Sequence, residues 1–288
     1  MFDLMHGNVK GLTRPELSLD KMRALCPAAF AGTAAPSVSE RYGHISTAEA
    51  IEIIRSTGGL YPVKAMQKPS RKFGTSQYNA HMVVFESNTL DHDGNRGTLT
   101  LYNSGDARSS AQVFSGVWRC LCDNGLMIGD GTFSGKLRHS KLTAANFNDL
   151  VRETAANLPA VMDRIDRMKR VEVDPAGALQ FAYDAANLRW AMLPEDHTQE
   201  LAGAYATEDT LHQINMVRRS GDGGADLWRT FNRAQEAVVR GGVDLKSFTA
   251  KTGRSGADRK ARPIGSIKDL KDVNQKMWAM ADDLLEAA

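Results

Sequence analysis

The apolar pattern of this chain changes period once, and that change decides which class of fold is open to it. Residues 60–68, 78–86, 98–103, 111–122 and 126–128 carry apolar side chains at alternate positions or in short β-rich runs, as strands do. After Thr143 the spacing becomes three and four, so that Phe147, Leu150, Val151, Leu158, Val161, Met162, Ile165 and Met168 share one helical stripe. A run of strands followed by helices, instead of strands alternating with helices, predicts an α+β fold. Its sheet is an antiparallel β-meander packed on long helices, with a helical C-terminal part. The connections agree, since 91–97 and 103–106 are built from Asp, Asn, Ser and Gly, which tolerate turn dihedrals.

Local signals refine the outline. Ser46 and Glu49 form a capping box ahead of Ile51 and Ile54, which predicts a short helix ending near Arg55. Pro159 kinks or divides the long stripe, because proline removes an internal donor and clashes with the preceding turn. Further helices are expected at about 175–192, 198–218 and 226–240, the last ending at Gly241-Gly242. A final helix repeats Ile267, Leu270, Val273, Met277, Met280 and Leu284. The chain divides into an N-terminal arm over 1–40, an α+β core over 41–172 and a mostly helical region over 173–288, with a basic loop at 246–265.

Composition narrows the class of protein. Apolar residues make up 42% and charged residues 24% of 288, as in a soluble globular chain and unlike a disordered one. No window reaches the roughly 18 uninterrupted apolar residues of a membrane helix, and Met1 to Gly7 lead into no apolar stretch, so a cytoplasmic location without membrane contact is expected. Cys26, Cys120 and Cys122 give neither a disulfide framework nor a zinc site, which fits a reducing compartment.

Most motifs that would carry catalysis fail on inspection. Asp91, Asp93 and Asn95 alternate as in a calcium loop, but Arg96 stands where the tight-turn glycine belongs and Tyr102 where the bidentate Glu belongs. Gly129, Gly131 and Gly135 follow a strand without the helix and Lys-Ser/Thr pair of a phosphate loop, and 251–256 has such a loop's composition in the wrong order. The seven histidines form no H-x-H or H-x-x-x-H pair. Asp163 and Asp166 lie near Arg167 and Arg170 at ion-pair spacing. No enzyme activity, cofactor or metal is expected.

Charge is a better guide. Residues 53–85 hold Arg55, Lys64, Lys68, Arg71 and Lys72 and no acid; 246–271 hold eight Lys or Arg against Asp258 and Asp269; 172–213 hold eight acids and, among Lys and Arg, only Arg189. In the β region, cations and rings interleave: Tyr61, Lys64, Lys68, Arg71, Lys72, Phe73 and Tyr78, then Arg108, Arg119, Lys136, Arg138, His139 and Lys141. Cations neutralise phosphates and rings stack on unpaired bases without reading sequence, so the mixture suits single-stranded DNA. Tyr61, Phe73 and Tyr78 also have a core reading, since strand aromatics bury their area. The lysines do not share it.

Two blocks carry a resemblance. Trp118-Arg119-Cys120-Leu121-Cys122-Asp123-Asn124-Gly125-Leu126, followed by Arg138-His139, is similar to an R-x-x-C-x-N-G-L signature, and Trp228 to Glu236 with Gly241-Gly242 is similar to a W-x-x-x-N-x-x-Q-E-x-x-x-x-G-G block. Both resemble a family of phage and plasmid type catalogued as the domain of unknown function numbered nine hundred and thirty-two, over roughly residues 40–285. The resemblance brings no catalytic role for Asn124, His139, Asn232 or Gln235. The order helix, antiparallel meander, long helix is also similar to the core of the single-strand annealing recombinases of the phage lambda Red beta type. That likeness implies identical subunits joined head to tail into rings or filaments, with single-stranded DNA along a shared basic groove. The expected partners are therefore single-stranded DNA, further copies of the chain and a host or phage single-strand-binding protein. The expected function is strand annealing in homologous recombination. A protein-interaction module working through the acidic helices is the alternative, and a metal-dependent nuclease a third reading.

Overall fold

The computed structural model describes residues 14–67, 77–92, 94–119, 122–127, 134–140, 146–194, 201–248 and 258–288. The chain separates into two compact units, Met1–Asp163 and Arg164–Ala288. Its architecture is α+β, with antiparallel sheets and a helical C-terminal part.

The first unit is built on a meander. Strands β1 (Leu60–Gln67), β2 (His81–His92), β3 (Asn95–Asn103), β4 (Ala111–Arg119) and β5 (Cys122–Met127) neighbour one another in chain order, all antiparallel, and β6 (Ser134–Leu137) joins the outer edge of β4 beyond β5. Register places Ala65, Val83, Leu101 and Val113 in one cross-strand row and Phe85 beside Leu99 in the next. Because side chains alternate across a strand, this row sequence defines the apolar face. It is covered by Ala50, Ile51 and Ile54 of α2 (Thr47–Ser56), by Phe147 and Val151 of α3 (Phe147–Ala156), and by Met22 of α1 (Leu19–Leu25) with Cys26. Each large side chain so buried contributes about 1.5–3 kcal/mol. Gly135 lets α3 sit close, since a Cβ there would lie 2.1 Å from Leu150 Cδ1.

The expected caps and breaks have specific geometry. Ser46 Oγ accepts from the Glu49 amide at 3.2 Å and starts α2. The long stripe is divided: α3 ends at Ala156 and α4 (Leu158–Met168) begins with Pro159 in its first turn, where the missing N–H costs little. Residues 17–29 of the expected arm put Leu17, Met22, Cys26 and Ala29 into the core, and the Leu17 amide donates to Pro62 O at 2.7 Å on the outer edge of β1.

The second unit has α5 (Pro175–Asn187), β7 (Gly203–Tyr205), α6 (Glu208–Asn215), α7 (Leu227–Arg240), β8 (Asp244–Phe248), β9 (Arg259–Lys260) and α8 (Ile267–Ala287), the three strands forming one antiparallel sheet. The helix expected over 198–218 is shorter. Gly203, at φ 106, sits in extended structure, and the Thr207 hydroxyl accepts from the Thr210 amide to begin α6 only there. α7 is the centre of the unit. Phe231 stacks on Trp228 at 5.6 Å and meets Trp278 and Phe181 edge-on at 6.2 and 6.4 Å. Among the described residues, no helix is long and apolar enough to cross a membrane.

Candidate nucleic-acid interface

The other sheet face mixes polar and apolar side chains. Register puts Lys64, Val84, Thr100 and Phe114 in one row of it, and Met66, Met82, Tyr102, Gln112 and Lys136 in the next. Lys64 and Lys136 are exposed, but Thr98, Thr100, Gln112 and Phe114 between them are buried. The middle of the face is therefore closed, and only its edges present cations. β1 and β6 stand four strand spacings apart, about 19 Å, so Lys64 and Lys136 do not form one cluster.

The other expected residues divide sharply. Lys68, Arg71, Lys72, Phe73 and Lys141 lie outside the described residues, as does the side chain of Arg119. Tyr61 belongs to a buried ion cluster. Its hydroxyl donates to Glu86 Oε1 at 3.2 Å, while Arg96 Nη1 reaches the same oxygen at 2.8 Å and Arg14 Nε reaches Oε2 at 2.8 Å. Arg96 Nε also binds Asp91 at 3.0 Å, so the aspartate of the turn is spent on an ion pair. Burial opposes the Arg96 charge, but hydrogen bonds to Glu86 and Asp91 outweigh it and hold the guanidinium above its ordinary pKa. Burial, then Glu86, pushes the Tyr61 hydroxyl up. Tyr78 is half-buried, its hydroxyl accepting from Gln77 at 2.8 Å and its ring against Gly105.

Arg108 and Arg138 are brought together. Both line a cleft of about 290 Å³ at the β6 edge, with Tyr42, Ala107, Ser109, Ser110 and His139. The turn that carries Arg108 is firmly held: Ser104 Oγ accepts from the Ser109 amide at 3.1 Å, Asp106 Oδ1 accepts from the Arg108 amide at 3.1 Å, and Tyr42 donates to Ser104 O at 2.9 Å. Ala107 adopts φ 61, uncommon for a residue with a Cβ, and such backbone persists where its surroundings fix it. Arg108 projects into solvent, 74% exposed, with Asp106 3.6 Å away. Tyr42 and His139 stack with centroids 4.7 Å apart and planes 9° off parallel. Burial pushes the Tyr42 hydroxyl up to about 12, so it remains a donor.

Sequence reading missed Tyr42, which is far from His139 along the chain and carries no local signal. It also missed the Glu86 cluster, for which a charged residue inside a strand run was the available sign. In the 246–271 stretch, Lys246 pairs with Asp258 at 3.3 Å and Lys260 with Asp244 at 2.7 Å. Among the described residues, no group of three His, Cys, Asp or Glu side chains is placed to hold a metal.

The polar block on α7 is interior structure. Gln235 Nε2 donates to Asn274 Oδ1 at 2.9 Å, Asn232 Nδ2 to Trp228 O at 2.5 Å, and Arg219 Nη2 to Glu236 Oε1 at 2.8 Å. Arg233 Nη1 reaches the carbonyls of Asp222 and Gly224, each at 2.8 Å. Gly241 takes φ 71 at the helix end, where a Cβ would lie 2.3 Å from Ala261 O.

Fold and site together define an α+β protein whose first unit presents a basic, ring-lined cleft at one sheet edge. Residues 35–278 match the family model described as Domain of unknown function (DUF932), and the chain belongs to that family. It is similar to the UPF0380 proteins YafZ and YfjQ of Escherichia coli (strain K12), each 28% identical over 269 residues, which cover 93% of this chain and 92% of each relative. No solved structure matches.

Proposed function

We propose that this protein binds single-stranded DNA without catalysing a reaction on it, and anneals complementary strands as a cytoplasmic homo-oligomer. The observation that carries the reading is the cleft at the β6 edge, where Arg108 and Arg138 flank the stacked rings of Tyr42 and His139. Guanidinium groups bind phosphate through paired donors, and a flat ring beside them offers a base a stacking surface without sequence preference. Exposed Lys136 on the same strand edge extends the positive charge by one position. The order of a short helix, an antiparallel meander and two further helices, similar to the element order of annealing recombinases, favours the annealing step. A single-strand-binding protein of the host or phage is the accessory partner that such a step would meet.

The test is fluorescence anisotropy of labelled single-stranded and duplex oligonucleotides across a salt series, paired with a strand-annealing assay. Preference for single strands, with an affinity that falls by about 0.7 log units per log unit of salt for each neutralised phosphate, supports the reading. No binding at low salt overturns it. The same chain would then act as a protein-interaction module, for which exposed Met216 and Val217 after α6, 59% and 53% accessible, are the first residues to probe.

A further inference from the structure

His139 is unusual among the groups lining the cleft. Both of its ring nitrogens are buried, and neither has a partner at full hydrogen-bond geometry, although the Gly43 and Ser109 backbone lies close enough to act on the ring. Its plane lies on the Tyr42 ring, a face that attracts a cation. Burial acts first to keep the ring neutral, and His44 adds to it; the carbonyls of Gly43 and Ser109 and the Asp106 carboxylate act the other way, and the net effect is a lowered pKa. His81 lies close enough to sense the same ring. Arg108 and Arg138 complete the charged groups around it. An anion entering beside such an imidazole acts against the burial that keeps it neutral.

The cleft also has the scale of one residue of a strand. At about 290 Å³ it stands at the small end of ligand pockets, about 300 Å³. Arg108 and Arg138 line the same small volume, with the Asp106 carboxylate 3.6 Å from Arg108 at its rim. A phosphomonoester brings a charge of about −1.5 to −2 and three acceptor oxygens to one point. The fixed turn at 104–109 holds the Arg108 backbone at the mouth, and its exposed side chain orders when the ligand arrives.

We propose that this cleft receives a terminal phosphomonoester of a nucleotide between Arg108 and Arg138, and that His139 takes up one proton as the phosphate arrives. The proton comes from solvent to the unprotonated ring nitrogen, and no other bond changes. His139 acts through its field, because its nitrogens are covered and do not touch the ligand. The inference rests on the single-strand reading for its ligand, a strand end; a free mononucleotide has the same chemistry.

The test uses the full chain with short oligothymidylates bearing a 5′-phosphate, a 3′-phosphate or no terminal phosphate, and with free thymidine monophosphate. A phosphorylated end is expected to bind about tenfold tighter than a hydroxyl end, the gain of one charge-assisted contact. That preference is lost in Arg108→Gln and Arg138→Gln, with circular dichroism confirming that both remain folded. Calorimetry in two buffers of different ionisation enthalpy reads proton uptake, expected in the wild type and lost in His139→Gln. Strand binding that ignores terminal phosphate overturns the inference and leaves the single-strand reading standing. Binding of the monophosphate with no binding of any strand supports the site and overturns that reading. Equal proton uptake in wild type and His139→Gln overturns the role given to His139.

Discussion

Acidifying this protein from about pH 7.5 to about pH 4.5 should weaken its first unit chiefly through one buried histidine, His81, with His139 acting in the same direction. His81 is 2% exposed, and its two nitrogens have fixed roles. Nδ1 lies 2.9 Å from Asn79 O and must donate; Nε2 lies 2.9 Å from Thr47 Oγ1, which already accepts from Asn103 Nδ2 at 3.0 Å and so turns its own hydrogen to the ring. With the neutral ring, donation runs from Asn103 to Thr47 to His81 to Asn79; protonating Nε2 would turn the Thr47 hydroxyl hydrogen away from its partner. Burial, with smaller contributions from His139 and His44, lowers the pKa from 6.5 to about 4. The unfolded chain binds the proton at the ordinary value. Stability is therefore complete above about pH 6.5 and is lost as pH falls toward about 4, by roughly 2 to 3 kcal/mol at about pH 4.5. The assay is denaturant-dependent hydrogen exchange of β2 and β3 peptides across that range, which reads the first unit alone. His81→Gln should be less stable at neutral pH and flatter in its pH dependence by that amount. An unchanged slope in His81→Gln would refute the assignment of this loss to His81.

Three other perturbations test the packing. Glu86→Gln leaves half-buried Arg14 and buried Arg96 against a neutral partner, with Asp91 still on Arg96, and should cost about 3 kcal/mol by chemical denaturation; a loss below about 1 kcal/mol would mean that the cluster is hydrated and weak. Gly241→Ala combines a left-handed φ with a clash against Ala261 O and should destabilise the second unit by about 3 kcal/mol or more, seen as faster exchange in α7. Gly135→Ala meets only the Leu150 side chain, which can turn aside, and should cost about 1–3 kcal/mol with its effect confined to α3 and β6.

What the sequence made legible was set by how far apart the deciding residues stand. The β-rich runs over 78–86 and 98–103 located strands β2 and β3, because the period of two is a property of a few neighbours, but the hairpin runs on to His92 and resumes at Asn95, inside the stretch expected to turn. The stripe from Phe147 gave α3 and α4 with Pro159 between them for the same reason. The helix expected over 198–218 failed where a local signal, the Thr207 cap, outweighed a weak periodic one. The stack of Tyr42 on His139 and the Arg14–Glu86–Arg96 cluster depend on the closed fold; the one local sign was Glu86, a charged residue inside a strand run. α7 shows the deeper limit of pattern reading. Its Asn232, Gln235 and Glu236 have the polarity of a solvent-facing or catalytic block, yet they are buried and bonded to Trp228 O, Asn274 and Arg219. A helix enclosed on all sides needs polar partners as much as apolar ones, since each buried donor left unpaired costs about 1–3 kcal/mol. The polar block on α7 is accordingly accounted for by the interior of the second unit, where its donors and acceptors pair with one another and with backbone carbonyls.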